Sequence, residues 1–150
     1  MSRPIVLLLS GPNLDLFGVR QPEVYGRETL DDYVAIAREA ADAAGYDLEH
    51  LQSASEAELV AAVHGARDRC AGIVINAAAF THYAWALHDA LAAFAGPIVE
   101  LHVSNPNGRE PWRHTSVIAP VATGAVVGFR GDGYRMAVEG LVGILRRDEA

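Results

Sequence analysis

Lysine is missing from this 150-residue sequence: all twelve positive charges are arginines. That absence removes one route of carbonyl chemistry, because no side chain can form a Schiff base with a ketone or aldehyde. Carbonyl chemistry here must run through an enolate, a cofactor or a metal. Cysteine is scarce as well. The lone Cys70 excludes an internal disulfide framework, and its place between a helical segment and an apolar strand predicts a buried small hydrophobe. Nothing approaches the roughly 18 apolar residues of a membrane span; the run Ile5-Val6-Leu7-Leu8-Leu9 is strand length. That run enters Gly11-Pro12-Asn13 directly, whereas a secretory signal needs a longer apolar region and a small-residue cleavage site. A cytoplasmic protein is therefore expected, with no membrane partner. A formal net charge of -7 argues against nucleic acid as a partner, since phosphate contacts need clustered basic residues.

What is present fits an ordinary globular chain. With 51% hydrophobic and 21% charged residues, residues 1–150 are expected to form one domain with a real core. Strand and helix patterns alternate. Ile5 to Ser10 is a continuous apolar run, as in a strand buried on both faces of a parallel sheet. Gly11 to Glu28 is polar, glycine-rich and long for a connection, and such loops are more often functional than idle. Thr29 can cap a helix through about Ala44, with Gly45 just past its end. Asp47 to Ser53 reads as a second strand, and Ser55-Glu56-Ala57-Glu58 as a capping box opening a helix to about Cys70. Gly72 to Asn76 is a third strand, Tyr83 to Ala95 a third helix, Pro97 to Val103 a fourth strand. A short strand, Ala125 to Gly128, and a closing helix, Tyr134 to Arg147, complete the pattern. This alternation predicts a flavodoxin-like α/β three-layer sandwich whose five-stranded parallel sheet has the order 2-1-3-4-5.

In such sheets ligands bind beyond the carboxyl ends of the strands, and the unusual polar residues collect there. Asn13 follows the first strand, Asn76 ends the third, and His102 with Ser104 ends the fourth. Glu100 and His102 alternate with apolar residues and so share a sheet face, where a carboxylate can orient an imidazole and hold it charged; a polar pair merely satisfied at a strand end is the plainer reading. Arg20 and Tyr25 lie on the long loop. A guanidinium near a phenol favours the phenolate, and a tyrosinate on a closable lid can act as a general base. His82 can cap the third helix or point into the crevice; Arg113, His88 and Asp89 are weaker signals, and Trp85 and Trp112 read as packing residues. The histidines form neither an H-E-x-x-H motif nor a Cys/His cluster, so no metal is expected. Gly128 to Gly133 lacks the context of a dinucleotide fingerprint, and no cofactor is expected.

Three segments together resemble the type II 3-dehydroquinate dehydratase family. They are Gly11-Pro12-Asn13-Leu14-Asp15-Leu16-Phe17-Gly18-Val19-Arg20-Gln21-Pro22-Glu23-Val24-Tyr25-Gly26; Gly72 to Asn76 leading to Phe80-Thr81-His82 and Ala86-Leu87-His88-Asp89-Ala90-Leu91; and Val99 to Asn105 followed by Arg109-Glu110-Pro111-Trp112-Arg113-His114-Thr115-Ser116. The resemblance implies a hydro-lyase that takes water from 3-dehydroquinate through an enolate. It implies Tyr25 as the base, Arg20 as the cation that keeps it ionised, Asn13 as the holder of a water at the enolate oxygen, and His102, backed by Glu100, as the acid. It further implies that Asn76, His82 and Arg113 grip ring hydroxyls, that backbone amides of Val103 and Ser104 receive the carboxylate, and that Asp89 reaches a neighbouring subunit's site in a homododecamer built from trimers.

The sequence departs from the family's usual residues at Asp15, Ala54 to Ala57, Ala77 and Tyr83 to Trp85, positions that bear on subunit contacts and substrate preference. Two other readings stand beside the main one. The first is a paralogue acting on a related ring, such as an amino-substituted dehydroquinate. The second is a non-catalytic flavodoxin-like binding module, although Asn76 stands where a phosphoacceptor would want an aspartate.

Overall fold

A computed structural model describes residues 2–149. Its strands are β1 (Ile5–Ser10), β2 (Asp47–Gln52), β3 (Gly72–Asn76), β4 (Ile98–His102) and β5 (Gly124–Val127), and its helices α1 (Pro22–Tyr25), α2 (Leu30–Ala43), α3 (Glu56–Ala66), α4 (Trp85–Ala92) and α5 (Asp132–Asp148). All strand pairs are parallel, in the expected order β2-β1-β3-β4-β5.

Side-chain alternation divides the core. Val6, Leu8, Val74, Val99 and Leu101 pack under α2 and α5. Leu7, Leu9, Ile73, Ile75 and Ile98 pack under α3 and α4. Apolar burial on both faces explains why β1 and β3 read as continuous hydrophobic runs. Truncating a fully buried leucine such as Leu8 to alanine would cost about 2–5 kcal/mol.

Local chemistry sets the helix ends. Thr29 Oγ1 accepts from the Asp32 amide, and Asp32 Oδ2 accepts in return from the Thr29 amide, at 3.2 and 2.9 Å. That reciprocal cap starts α2, and Gly45, with φ 87°, takes the left-handed turn beyond its end. At α3 the expected box forms only half. Ser55 Oγ accepts from the Glu58 amide, but the Glu58 carboxylate accepts from Ser53 Oγ at 2.8 Å instead of returning to Ser55. The helix also stops at Ala66, short of Cys70. The Ala66 carbonyl accepts from both Arg69 and Cys70, which winds the chain into a turn. Cys70 is accordingly half-buried, not buried as expected. α4 is shorter than the expected Tyr83–Ala95 span, because Tyr83 closes a preceding 3-10 turn, Ala78–His82.

The long Gly11–Glu28 connection is also more ordered than its composition suggested. It contains a 3-10 turn at Leu14–Leu16 and the single-turn helix α1, whose first residue, Pro22, has a ring already set for helical φ. Among the described residues, no helix is long and apolar enough to cross a membrane.

Candidate active site

The strand order reverses direction between β1 and β3, which leaves a crevice above their carboxyl ends. The two chains leave the sheet in close contact: the Gly11 amide donates to the Asn76 carbonyl at 2.8 Å. A side chain at Gly11 would place its Cβ 2.3 Å from the Ala77 carbonyl oxygen, so only glycine permits this approach. Asn13 then takes a left-handed conformation, φ 67°, a region that asparagine tolerates better than most residues. Gln21 does the same at φ 45°. The two bends fold the connection back over the crevice.

The enclosed cavity is lined by Asn13, Arg20 and Tyr25 from this connection, and by Asn76 and His82 from β3 and the turn after it. His102, Val103, Ser104, Arg109, Trp112 and Arg113 line it from β4 and the segment that follows. It encloses about 90 Å³, well under the roughly 300 Å³ at which small-molecule sites usually begin. The walls without sheet support are the Asn13–Tyr25 connection and the 3-10 turns that carry Arg109 and Arg113.

Tyr25 is only 8% exposed. Its hydroxyl accepts a short hydrogen bond from Arg109 Nη1, and the Arg109 guanidinium carbon stands 5.1 Å from the ring centroid. Arg20 lies at 5.5 Å from the same centroid. Two positive charges therefore flank one phenol, and the one bonded to its oxygen is Arg109, not the Arg20 singled out in the sequence. Arg109 also reaches Gln21 Oε1 and Ser104 Oγ at 3.3 and 3.4 Å, which clips the connection to the end of β4.

His102 and Glu100 do share a face. His102 Nε2 bonds Glu100 Oε2 at 2.7 Å, and Ser116 Oγ donates to the same carboxylate oxygen at 2.8 Å. Glu100 is 4% exposed. Burial alone pushes its carboxyl up, but the bonds from His102 and Ser116 outweigh burial and hold it below the ordinary carboxylate range. A charged Glu100 beside Nε2 orients the imidazole. Glu100 itself stands behind His102 rather than in the cavity wall.

His82 points into the crevice instead of capping α4. Its Nδ1 bonds the Thr115 carbonyl at 2.7 Å, and burial, first among its influences, lowers its pKa below the usual histidine value. A neutral ring that donates from Nδ1 presents Nε2 as an acceptor for a hydroxyl. Arg113 is paired with Glu110 at 3.0 Å, and its guanidinium stacks 4.0 Å above the Trp112 ring. His82 meets the same indole edge-on at 5.2 Å. Trp112, expected to be a packing residue, is half-exposed at the cavity wall and supports two polar side chains. Trp85 is 61% exposed on α4 and does not pack into the core either.

The structure thus brings nine of the expected site residues into one cavity, places Glu100 directly behind it, and leaves Asp89 outside it on the exposed surface of α4. Arg109 is the residue that the sequence reading missed. It falls within the third motif, but its partner Tyr25 lies 84 positions earlier, and no periodicity links two loops. Among the described residues no group of three or more His, Cys, Asp or Glu could hold a metal ion.

Known proteins resemble this chain over most of its length. The family model for class II dehydroquinases matches residues 4–142. A 3-dehydroquinate dehydratase of Xanthomonas campestris pv. campestris is 50% identical over 144 residues, covering 95% of this chain and 97% of that protein. The 3-dehydroquinate dehydratase 2 of Pseudomonas putida is 43% identical over 148 residues, 99% of each. Among solved structures, the type II dehydroquinase of Butyrivibrio crossotus superposes with a TM-score of 0.90 at 37% identity, covering 94% of this chain and 99% of that one. A 3-dehydroquinate dehydratase-like protein from Bifidobacterium longum gives 0.72 at 35% identity, over 95% and 98% of the two chains. With the family match spanning nearly the whole sequence, the chain belongs to the class II dehydroquinases.

Proposed function

We propose that this chain catalyses the reversible loss of water from 3-dehydroquinate to 3-dehydroshikimate. The observation that carries the reading is the buried Tyr25 phenol, hydrogen-bonded to Arg109 and facing a cavity that it shares with the Glu100-backed imidazole of His102.

The chemistry follows from those positions. Tyr25, as phenolate, takes the proton from the carbon beside the substrate ketone, and the electron pair moves into an enolate. The guanidiniums of Arg109 and Arg20 favour the phenolate that starts the step. Asn13, at the base of the connection, holds a water against the enolate oxygen, where negative charge develops. When the enolate collapses, the hydroxyl two carbons from the carbonyl departs with a proton from His102, and water is released. Glu100 stabilises the imidazolium from which that proton is given. Asn76, His82 and Arg113 hold ring hydroxyls, and the backbone amides of Val103 and Ser104 receive the carboxylate. Closure of the connection excludes water from the enolate, and no imine is needed in a chain without lysine.

The direct test adds 3-dehydroquinate and follows the conjugated enone product by ultraviolet absorbance. Tyr25→Phe is expected to abolish turnover while leaving the fold and much of the substrate affinity intact; retention of the wild-type rate would show that another group is the base. The same reading places Asp89 at a neighbouring subunit's site in a homododecamer of trimers. Tyr83 and Trp85, 58% and 61% exposed beside it, support burial of this face of α4 against another copy. Light scattering in solution reads the assembly, and a monomer would remove Asp89 from the site.

A further inference from the structure

The turn that carries Tyr25 is fastened from below by a second tyrosine. Tyr33, fully buried on α2, donates its hydroxyl to the Tyr25 backbone carbonyl at 2.8 Å. Its ring lies flat on Tyr134 of α5, with centroids 5.0 Å apart and 13° between planes. Phe17 meets Tyr25 and Tyr33 edge-on at 5.6 and 5.1 Å. Gly26, next after Tyr25, has φ 86°, and a Cβ there would stand 2.7 Å from Glu28 Oε2 and 3.6 Å from the Tyr33 hydroxyl. Burial first, and then the charge of Glu28, pushes Tyr33 up to about 12, so its hydroxyl stays a neutral donor at any pH where the protein works.

Tyr134 completes the stack without a polar role. Its hydroxyl is buried with no hydrogen-bond partner among the described residues. Such a group lowers stability, and a phenylalanine would fill the same space without that cost.

We propose that Tyr33, stacked on Tyr134, is a positioning residue for the reaction: its hydrogen bond to the Tyr25 carbonyl sets where the Tyr25 phenol stands. Tyr33 does not line the cavity, so it acts through its neighbour. The inference rests on reading Tyr25 as the base.

Tyr33→Phe and Tyr134→Phe each delete one oxygen and keep the rings stacked. Tyr33→Phe is expected to lower kcat about tenfold, with KM within about twofold and a modestly lower melting temperature from the lost buried hydrogen bond. Combined with Arg109→Ala, it should lose less than the product of the two separate losses, since both changes act on the placement of one phenol. Tyr134→Phe, which removes no hydrogen bond, should keep kcat and KM near wild type with equal or higher thermal stability. A wild-type kcat in Tyr33→Phe, an equal kcat loss in Tyr134→Phe, or fully multiplicative losses in the double variant would each overturn the proposal. The underlying assignment fails separately: a Tyr25→Phe enzyme that still turns over removes the base, whereas an inactive Tyr25→Phe beside an unaffected Tyr33→Phe removes only the positioning role.

Discussion

The two halves of the site are built differently. One half stands on strand ends, all buried: Asn76 in register with Ser10 of β1, Glu100 with Ile75 of β3 and Ala125 of β5, and His102 with Val127 of β5. The other half stands on connections. Asn13 and Tyr25 come from a segment with two left-handed non-glycine residues and single-turn helices, and Arg109 and Arg113 from a run of 3-10 turns after β4. The strand half seats the proposed acid in the sheet. The connection half carries the proposed base on irregular chain, held by Arg109 on one side and Tyr33 on the other. The division teaches that two groups proposed to exchange protons with one substrate can rest on supports of different kinds.

Arginine substitutions probe the connection half with the largest effect beyond the base itself. Arg109→Ala removes the donor bonded to the Tyr25 oxygen and the clip to Gln21, and kcat should fall roughly a hundredfold, as on loss of a donor aimed at a reacting oxygen. Arg20→Ala, which removes a cation near the ring rather than one on the oxygen, should cost less. Equal losses in steady-state assays would mean that total charge, and not the clip, is what the wall supplies.

A smaller effect is expected in the strand half. Glu100→Gln keeps the shape of the His102 contact but removes the charge that stabilises the imidazolium, and kcat should drop about tenfold. Stability reports the same pair. Because the Glu100 carboxyl is held below its ordinary value of 4.5, its contribution to folding is present above that pH and is lost as pH falls through the depressed folded value. Urea titrations at neutral pH and at about pH 3 should therefore show a steeper acid loss in the wild type than in Glu100→Gln. Parallel pH profiles would mean that Glu100 is not charged in the folded protein.

Legibility in the sequence followed the same division. Strand ends were readable because β1 and β3 are buried on both faces and announce themselves as unbroken apolar runs, and because a period of two places Glu100 and His102 side by side. The helix at Thr29 was readable from its cap. The α3 box half failed because Ser53, two residues outside the motif, captured the Glu58 carboxylate. Trp112 was misread since an indole in sequence does not reveal whether it faces a core or a guanidinium. Arg109 lay beyond local reasoning altogether, because its meaning depends on how two irregular segments meet in space. The family resemblance supplied Arg20 and Tyr25 a shared role, but the contact that completes that role is tertiary.

Cations of a single chemical type have a practical consequence. A guanidinium remains charged at any pH a protein survives, so the cluster around the cavity keeps its positive field through conditions that would neutralise an amine. Amine-directed reagents find no side-chain amine among these 150 residues. Dicarbonyl reagents, which condense with guanidiniums, are the ones to which the pocket is vulnerable.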